Sequence, residues 1–319
     1  MKTSGMKISH ETLGLRPVSA TCLLGESPFW HPDQQCLYWV DIPGRQICRL
    51  DPVTGLEQRW EVPAEPGCIA PSRRGGLLVA HRAGIDRFDP VAGRWLERLA
   101  EAPYDMSVQR FNDGRCDARG RFWIGTIHEP RDQAAAGLYC LEVLAGSESS
   151  GAAVSLSLRA GEVTTANGLA WSPDGSTMYW ADSKAHRIDC FDFDPVTAAL
   201  SGRRVWKRFP SQNETPSAQS YGGRPDGAAV DAQGCYWVAL YEGGRLLRLS
   251  PQGEILIDIE LPVRCPTMPT FGGADLRTLY LTTASIRRSP EELTLTPWAG
   301  SVLALSVDVP GLPVAFAAA

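Results

Sequence analysis

The sequence predicts an all-β protein whose fold is a six-bladed β-propeller, and two observations predict it. A turn followed by a short run of β-branched and aromatic residues recurs six times along the 319 residues, at steps of 40 to 58 residues. Each run has the length of a strand and begins with the residues that start one. A repeat of about 40–60 residues that holds up to four strands is typical of a propeller blade.

The six runs are assigned one to each blade, in chain order. They start at Leu37, Leu77, Phe122, Met178, Tyr236 and Leu279. Most are followed by a second predicted strand that ends at an Asp-Pro turn, and the clearest of these are 46–50, 84–88 and 187–193. We therefore expect one propeller domain over residues 11–319, preceded by a flexible tail over residues 1–10.

Three insertions between the predicted strands mark loops. Residues 146–151, with the sequence Gly-Ser-Glu-Ser-Ser-Gly, predict an exposed hairpin loop. The loops over 128–136 and 211–223 are predicted either to lie over the mouth of the central channel or to decorate the surface.

Composition and charge exclude several classes of protein. Hydrophobic residues make up 44% of the chain, which is too many for intrinsic disorder, and the mean hydropathy is −0.16. The formal charge of −5, without a basic stripe, argues against nucleic acid as a partner, and no apolar run of about 18 residues predicts a membrane span. Nine scattered cysteines and no secretory signal indicate reduced thiols in a cytoplasmic protein. The oligomeric state stays open.

Oxygen-bearing side chains share one register in four of the six repeats. Eight positions before each turn stand Glu26, Asn112, Asn167 and Asp226. The second repeat has Gly67 there, and the sixth is small or apolar near 267–269. Since the first strand of each blade lines the channel of a propeller, we expect these four side chains to form a ring around the axis.

Two carboxylates and two amides in one ring suit a hard or borderline divalent cation, because such ions prefer oxygen ligands and need balancing charge. These ligands permit Ca²⁺, Zn²⁺, Mg²⁺, Mn²⁺ or Fe²⁺, and the sequence does not identify which of them is bound. The alternative is that Asn-Gly and Asp-Gly are simply frequent turn dipeptides. Other chemistries lack their motifs, since no G-x-S-x-G elbow, H-E-x-x-H pair or phosphate-binding glycine loop occurs in the sequence.

Five short motifs point to a family. They are Leu-Gly-Glu-Ser-Pro-Phe-Trp at 24–30, Arg-Phe-Asn-Asp-Gly at 110–114, Ala-Asn-Gly-Leu-Ala-Trp-Ser at 166–172, Arg-Pro-Asp-Gly at 224–227 and Phe-Gly-Gly-Ala-Asp at 271–275. With these motifs the chain resembles the SMP-30/gluconolactonase/LRE-like family, also called the regucalcin family, over nearly its whole length.

The resemblance implies a hydrolase that opens a sugar lactone, with one divalent metal ion held by Glu26, Asn167 and Asp226. It also implies that Arg110 and Asn112 bind the substrate. Among the metal-site residues, Asp226 is our candidate for the catalytic general base. Gluconolactone or a pentonolactone is the expected substrate.

The chain departs from the family pattern after the third repeated strand. Many members that act on sugar lactones carry an acidic substrate contact where this chain has Pro130, and we expect Glu129 to replace it. The departure concerns the identity of the substrate. Two alternatives to a sugar lactonase also stay open. One is a hydrolase of non-sugar lactones or phosphotriesters, and the other is a non-catalytic propeller that binds a divalent ion.

Overall fold

The structure is a computed structural model that describes residues 5–144, 153–217 and 220–319. The hairpin loop expected over 146–151 lies outside the described residues. Within them, six β-sheets stand around a central channel, which confirms the six-bladed β-propeller. None of the helices in this described part is long and apolar enough to cross a membrane.

Two short strands, β1 (Met6–Ser9) and β2 (Arg16–Pro17), precede the first blade. The first three blades follow in chain order, with four strands each. They are β3 (Gly25–His31), β4 (Cys36–Asp41), β5 (Gln46–Leu50) and β6 (Glu57–Glu61); β7 (Pro66–Pro71), β8 (Leu77–His81), β9 (Gly84–Asp89) and β10 (Arg94–Glu101); β11 (Gln109–Cys116), β12 (Phe122–His128), β13 (Ala136–Val143) and β14 (Val154–Val163). The repeated runs of the sequence are therefore the second strands of their blades.

The remaining blades repeat this plan. Their strands are β15 (Ala166–Trp171), β16 (Thr177–Asp182), β17 (Arg187–Phe193) and β18 (Leu200–Arg208); β19 (Arg224–Val230), β20 (Tyr236–Tyr241), β21 (Arg245–Leu249) and β22 (Ile255–Glu260); β23 (Pro266–Gly272), β24 (Thr278–Thr283) and β25 (Leu303–Ser306). A 3-10 turn, Gln212–Glu214, and one short helix, α1 (Pro290–Leu295), lie in loops. In every blade the first strand is innermost, and it packs against the first strands of the neighbouring blades.

The ring is closed by strands that are far apart in sequence. β2 pairs antiparallel with β25 and so becomes the outermost strand of the sixth blade. β1 pairs in parallel with β22, register Met6↔Ile257 to Ser9↔Glu260, as a fifth strand of the fifth blade. The expected tail over 1–10 therefore differs at residues 6–9, which are paired because the open edge of β22 offers unpaired backbone groups to a neighbouring segment.

The apolar core lies between the blades, and the polar site residues lie at one end of the channel. One cluster, for example, joins Tyr38 and Val40 of the first blade to Val79 and Phe88 of the second. Burial of such residues stabilises the ring by about 25 cal/mol for each Å² of apolar surface removed from water. All nine cysteines are free and buried, as their scattered spacing indicates.

A buried aspartate anchors the turn between the first two strands of the fifth blade. Asp231 accepts hydrogen bonds from the indole Nε1 of Trp237 at 3.0 Å and from Nε of Arg248 at 2.7 Å. It also accepts the backbone N–H of Gln233 and of Cys235. The side chain is fully enclosed, so its charge depends on these four donors.

Candidate active site

A cavity of about 720 Å³ opens at the end of the channel where the innermost strands begin. The four ring residues predicted from the sequence, Glu26, Asn112, Asn167 and Asp226, all line it, and each is buried. A smaller cavity of about 250 Å³ lies at the opposite end of the channel, where residues 312–315 of the C-terminal segment line it. The two cavities differ in chemistry, and the polar one contains every predicted site residue.

Each ring residue lies at a β-bulge of its innermost strand. The pairing with the second strand shifts register between Glu26 and Phe29, Phe111 and Gly114, Asn167 and Ala170, and Pro225 and Ala228. A bulge turns a side chain out of the regular alternation and commonly borders an active site. It also explains the glycines that follow: Gly168 has a φ of +59°, and a Cβ on Gly227 would lie 2.3 Å from Cβ of Met268.

A chain of hydrogen bonds connects four of the predicted residues. Nη1 of Arg110 donates to Oδ1 of Asn112 at 2.8 Å, and Nδ2 of Asn112 donates to Oδ1 of Asn167 at 2.7 Å. Nδ2 of Asn167 then donates to Oδ1 of Asp226 at 2.5 Å. The substrate-binding and metal-binding residues implied by the resemblance therefore form one connected group.

Ser183 completes the surroundings of Asn167 on the side of the fifth blade. Its hydroxyl accepts a hydrogen bond from Nδ2 of Asn167 at 2.8 Å and donates one to the carbonyl of Pro225 at 2.6 Å. The amide nitrogen of Asn167 thus has both of its hydrogens engaged. This contact holds the amide in the plane that faces Asp226.

Two buried carboxyl groups, those of Glu26 and Asp226, line this end of the channel. Burial raises the pKa of Glu26 well above its usual range, and the negative charges of Asp226 and Asp113 raise it further. Burial raises the pKa of Asp226 to about 7. The positive charge of Arg224 lowers this pKa, and the negative charge of Asp113 raises it. Both shifts arise because negative charge is concentrated where water cannot screen it, which is the condition that a bound cation relieves.

The residues present fit a divalent cation. Two carboxylates supply charge balance, and the amide oxygen of Asn167 supplies a neutral oxygen ligand. Across the described ranges no three His, Cys, Asp or Glu side chains are grouped closely enough to hold a metal ion, so an ion at this place depends on the amide as well. In the present arrangement the Asn167 nitrogen donates to Asp226, and its oxygen accepts from Asn112.

Glu129, expected to replace the family's acidic contact, lines the cavity and is held by two arginines. Arg82 donates to it through both terminal nitrogens, at 2.9 and 3.0 Å, and Nε of Arg110 lies 3.4 Å from Oε1. Although burial alone raises the pKa of Glu129, the hydrogen bonds from Arg82 and the charge of Arg110 lower it overall. Glu129 is therefore ionised and fixed beside Arg110.

Arg82 and Ser183 are site residues that the sequence analysis missed. Each stands directly after the second strand of its blade, as do Ile42, Glu129 and Glu242, and all five line the cavity. A count of eight from the turn reaches Ile42, Ser183 and Glu242, whereas Arg82 and Glu129 stand one residue before and one residue after that count. The position directly after the repeated strand is the signal.

A family model described as the SMP-30/gluconolactonase/LRE-like region matches residues 24–285. The chain belongs to this family. The SMP-30/gluconolactonase/LRE-like resemblance drawn from the five motifs is thereby confirmed, and the matched region holds the five inner strands from β3 to β19 together with β23.

Curated relatives of the SMP-30/gluconolactonase/LRE-like family match over almost the full chain. A 6-deoxy-6-sulfogluconolactonase of Pseudomonas putida is 43% identical over 91% of this chain and 93% of its own length. The regucalcin of Oryctolagus cuniculus is 32% identical over 92% of this chain and 94% of its own length. The solved structure of a calcium-binding protein, regucalcin, from Agrobacterium tumefaciens matches 98% of this chain and 99% of its own chain, with a TM-score of 0.85 and 24% identity. This likeness shows that the two proteins share the fold.

Proposed function

We propose that this protein is a metal-dependent lactonase that opens a sugar lactone to the aldonic acid. The observation that carries the proposal is the convergence of Glu26, Asn167 and Asp226 at the floor of one cavity, with Arg110 and Asn112 beside them. The 43% identity to a sulfogluconolactonase over nine-tenths of the chain supports the lactonase part. Metal dependence rests on the fit of the oxygen ligands.

Hydrolysis of a lactone consumes one water molecule. The water oxygen forms a bond to the carbonyl carbon, the bond from that carbon to the ring oxygen breaks, and the product is an open-chain hydroxy acid. One proton leaves the attacking water, and one proton must reach the departing ring oxygen. A divalent cation held by Glu26, Asn167 and Asp226 would supply Lewis acidity for the carbonyl group.

The side chains of the site transfer the proton and bind the substrate. Asp226 accepts the proton of the attacking water and later returns it to the ring oxygen, so the proton count balances. Arg110 donates to hydroxyl or ring oxygens, and Asn112 both donates and accepts. Glu129, ionised and fixed by Arg82, accepts hydrogen bonds from sugar hydroxyls at the wall of the cavity.

Substrate and location are further parts of the proposal. A six-carbon lactone is favoured over a pentonolactone because of the relative that acts on a 6-deoxy-6-sulfogluconolactone. A cytoplasmic location is supported by nine free, buried thiols.

Chelation and reconstitution test the proposal. The protein is stripped with a chelator, each divalent ion is returned in turn, and hydrolysis of a panel of aldonolactones is followed with a pH indicator. We expect one ion to restore turnover well above spontaneous hydrolysis. Tight ion binding with no turnover of any lactone would instead favour the non-catalytic ion-binding propeller.

A further inference from the structure

The cavity is lined by more positively charged than negatively charged side chains. Its lining contains seven arginine or lysine side chains and five glutamate or aspartate side chains. The chain as a whole has a formal charge of −5, so this local excess opposes the overall balance. A cation bound between Glu26 and Asp226 would increase the excess further.

Most of these cations are matched by a carboxylate. Arg82 contacts Glu65 and Glu129, and Arg110 lies beside Glu129. In the fifth blade Arg224 contacts Glu242 and stacks over the ring of Tyr241 at 4.7 Å, and Arg288 adds a contact to Glu242 at 3.6 Å and to Glu292 at 3.7 Å. These arginines have structural partners that neutralise them.

Arg131 and Arg287 are different. Neither side chain has a hydrogen-bond or ion-pair partner within residues 5–144, 153–217 and 220–319, although both line the cavity. Both residues are exposed to solvent at its rim. Lys184 is a third exposed cation of the lining without a side-chain partner in the same ranges.

The two arginines belong to loops of different blades that converge at the mouth. Arg131 follows β12 of the third blade, and Arg287 follows β24 of the sixth. Partial burial lowers the pKa of Arg131, and the positive charges of Arg224 and Arg287 lower it further, so Arg131 is close enough to both guanidinium groups to be repelled by them. Arg131 lines the same cavity as Asp226, so the subsite and the proposed reacting centre share one space.

We propose that Arg131 and Arg287, flanked by Arg224, form an anion subsite that binds a sulfonate or phosphate substituent on the exocyclic carbon of the lactone. A tetrahedral oxyanion accepts hydrogen bonds from several guanidinium groups at once and removes their mutual repulsion. The inference rests on the proposed function and deepens it, because it assigns the residues that distinguish a charged lactone from a neutral one. A cavity of about 720 Å³ has room for a monosaccharide that reaches both places.

The first test compares three lactones that differ only at the exocyclic carbon. Values of kcat/KM are measured for glucono-1,5-lactone and for its 6-sulfo and 6-phospho derivatives, after subtraction of spontaneous hydrolysis. The variants are Arg131→Gln, Arg287→Gln and the double variant. Arg94→Gln is the matched control, since Arg94 is exposed, lies outside the cavity and has no side-chain partner in the described part of the chain.

We expect each single variant to lose about tenfold in kcat/KM on a 6-anionic lactone and less than twofold on the neutral one, with a larger loss in the double variant. Added salt should lower the wild-type value for the anionic lactones and leave the neutral one unchanged. An equal loss on both lactones, or no loss on the anionic ones, would overturn the subsite. Comparison of the two derivatives distinguishes sulfonate from phosphate.

A binding measurement separates this inference from the lactonase proposal. Calorimetry gives the Kd of 6-phosphogluconate and of gluconate, neither of which needs turnover, for wild type and the double variant. A preference for 6-phosphogluconate that the double variant loses supports the subsite even if no lactone is hydrolysed. Turnover of the neutral lactone without any such preference would uphold the lactonase and refute the subsite.

Discussion

Nδ2 of Asn167 donates a hydrogen bond to Oδ1 of Asp226 at 2.5 Å, across the boundary between the fourth and fifth blades. The two residues are 59 positions apart in sequence, and each lies at the bulge of its innermost strand. The same nitrogen also donates to the hydroxyl of Ser183, and the amide oxygen of Asn167 accepts from Nδ2 of Asn112. Asn167 therefore connects Asp226 to the substrate-binding residues implied by the resemblance.

Asp226→Asn should remove most of the lactonase activity and leave the fold intact. The amide cannot accept a proton from water, and loss of a general base costs about 10²–10⁴-fold in rate. kcat/KM and Tm measured on the same preparation check this, with Asp192→Asn as control because Asp192 is an exposed acid with 63% of its side chain accessible. Activity within tenfold of wild type would exclude Asp226 as the base.

Glu26→Gln should act mainly on the metal ion. The substitution keeps the shape and removes one of the two buried negative charges, so we expect the Kd for the activating ion to rise at least about tenfold. At saturating metal the loss in kcat should be smaller than for Asp226→Asn. Calorimetric titration of the stripped protein gives the Kd, and an unchanged value would remove Glu26 from the metal site.

Cation binding should release protons and weaken as the pH falls through about 7. Burial raises the pKa of Asp226 to about 7 and that of Glu26 well above its usual range in the metal-free protein. Protons held by these carboxyls must leave before a cation binds, so the apparent affinity is lower on the acid side and levels off once both are ionised. Titrations in buffers of different ionisation enthalpy count the protons, and a count of zero at pH 6.5 would contradict the assignment.

Arg82→Ala should raise KM without changing metal affinity. Arg82 holds Glu129 through two hydrogen bonds of 2.9 and 3.0 Å, and its loss frees the carboxylate to move or to pair more closely with Arg110. We expect KM to rise about tenfold, with only partial recovery in Arg82→Lys because an ammonium cannot form the two-pronged contact. Arg98→Ala, in the same blade and paired with Asp86 and Glu101, is the control. A change in metal Kd would instead indicate general damage to the site.

Asp231→Ala should destabilise the propeller severely. The substitution leaves the buried guanidinium of Arg248 and the indole of Trp237 without their acceptor, and a broken buried ion pair costs about 3–5 kcal/mol. Asp192→Ala, which removes the exposed pair with Arg204, should cost less than about 1 kcal/mol. Urea denaturation of both variants gives the free energies of unfolding. Similar values for the two would show that burial does not set the contribution of Asp231.

The sequence by itself predicted the number of blades, the second strand of each blade and the ring of Glu26, Asn112, Asn167 and Asp226. Strand signals repeat at short range, and a fixed count from each turn reaches the same place in every blade because the blades share one geometry. The position directly after each second strand adds Arg82 and Ser183. The local pattern therefore indicated the residues at the centre of the site, but not most of those that line the cavity.

Only the tertiary structure decided which of these side chains touch. The two hydrogen bonds from Arg82 to Glu129 join the second and third blades. β2, near the start of the chain, completes the sixth blade, whose other strands lie near its end. Whether a cation is neutralised also depends on contacts across blades: Arg224 meets Glu242, whereas Arg131 and Arg287 meet no carboxylate within the described ranges. Such contacts depend on the curvature of the ring and the path of its loops, because residues distant in sequence become neighbours only when the ring closes.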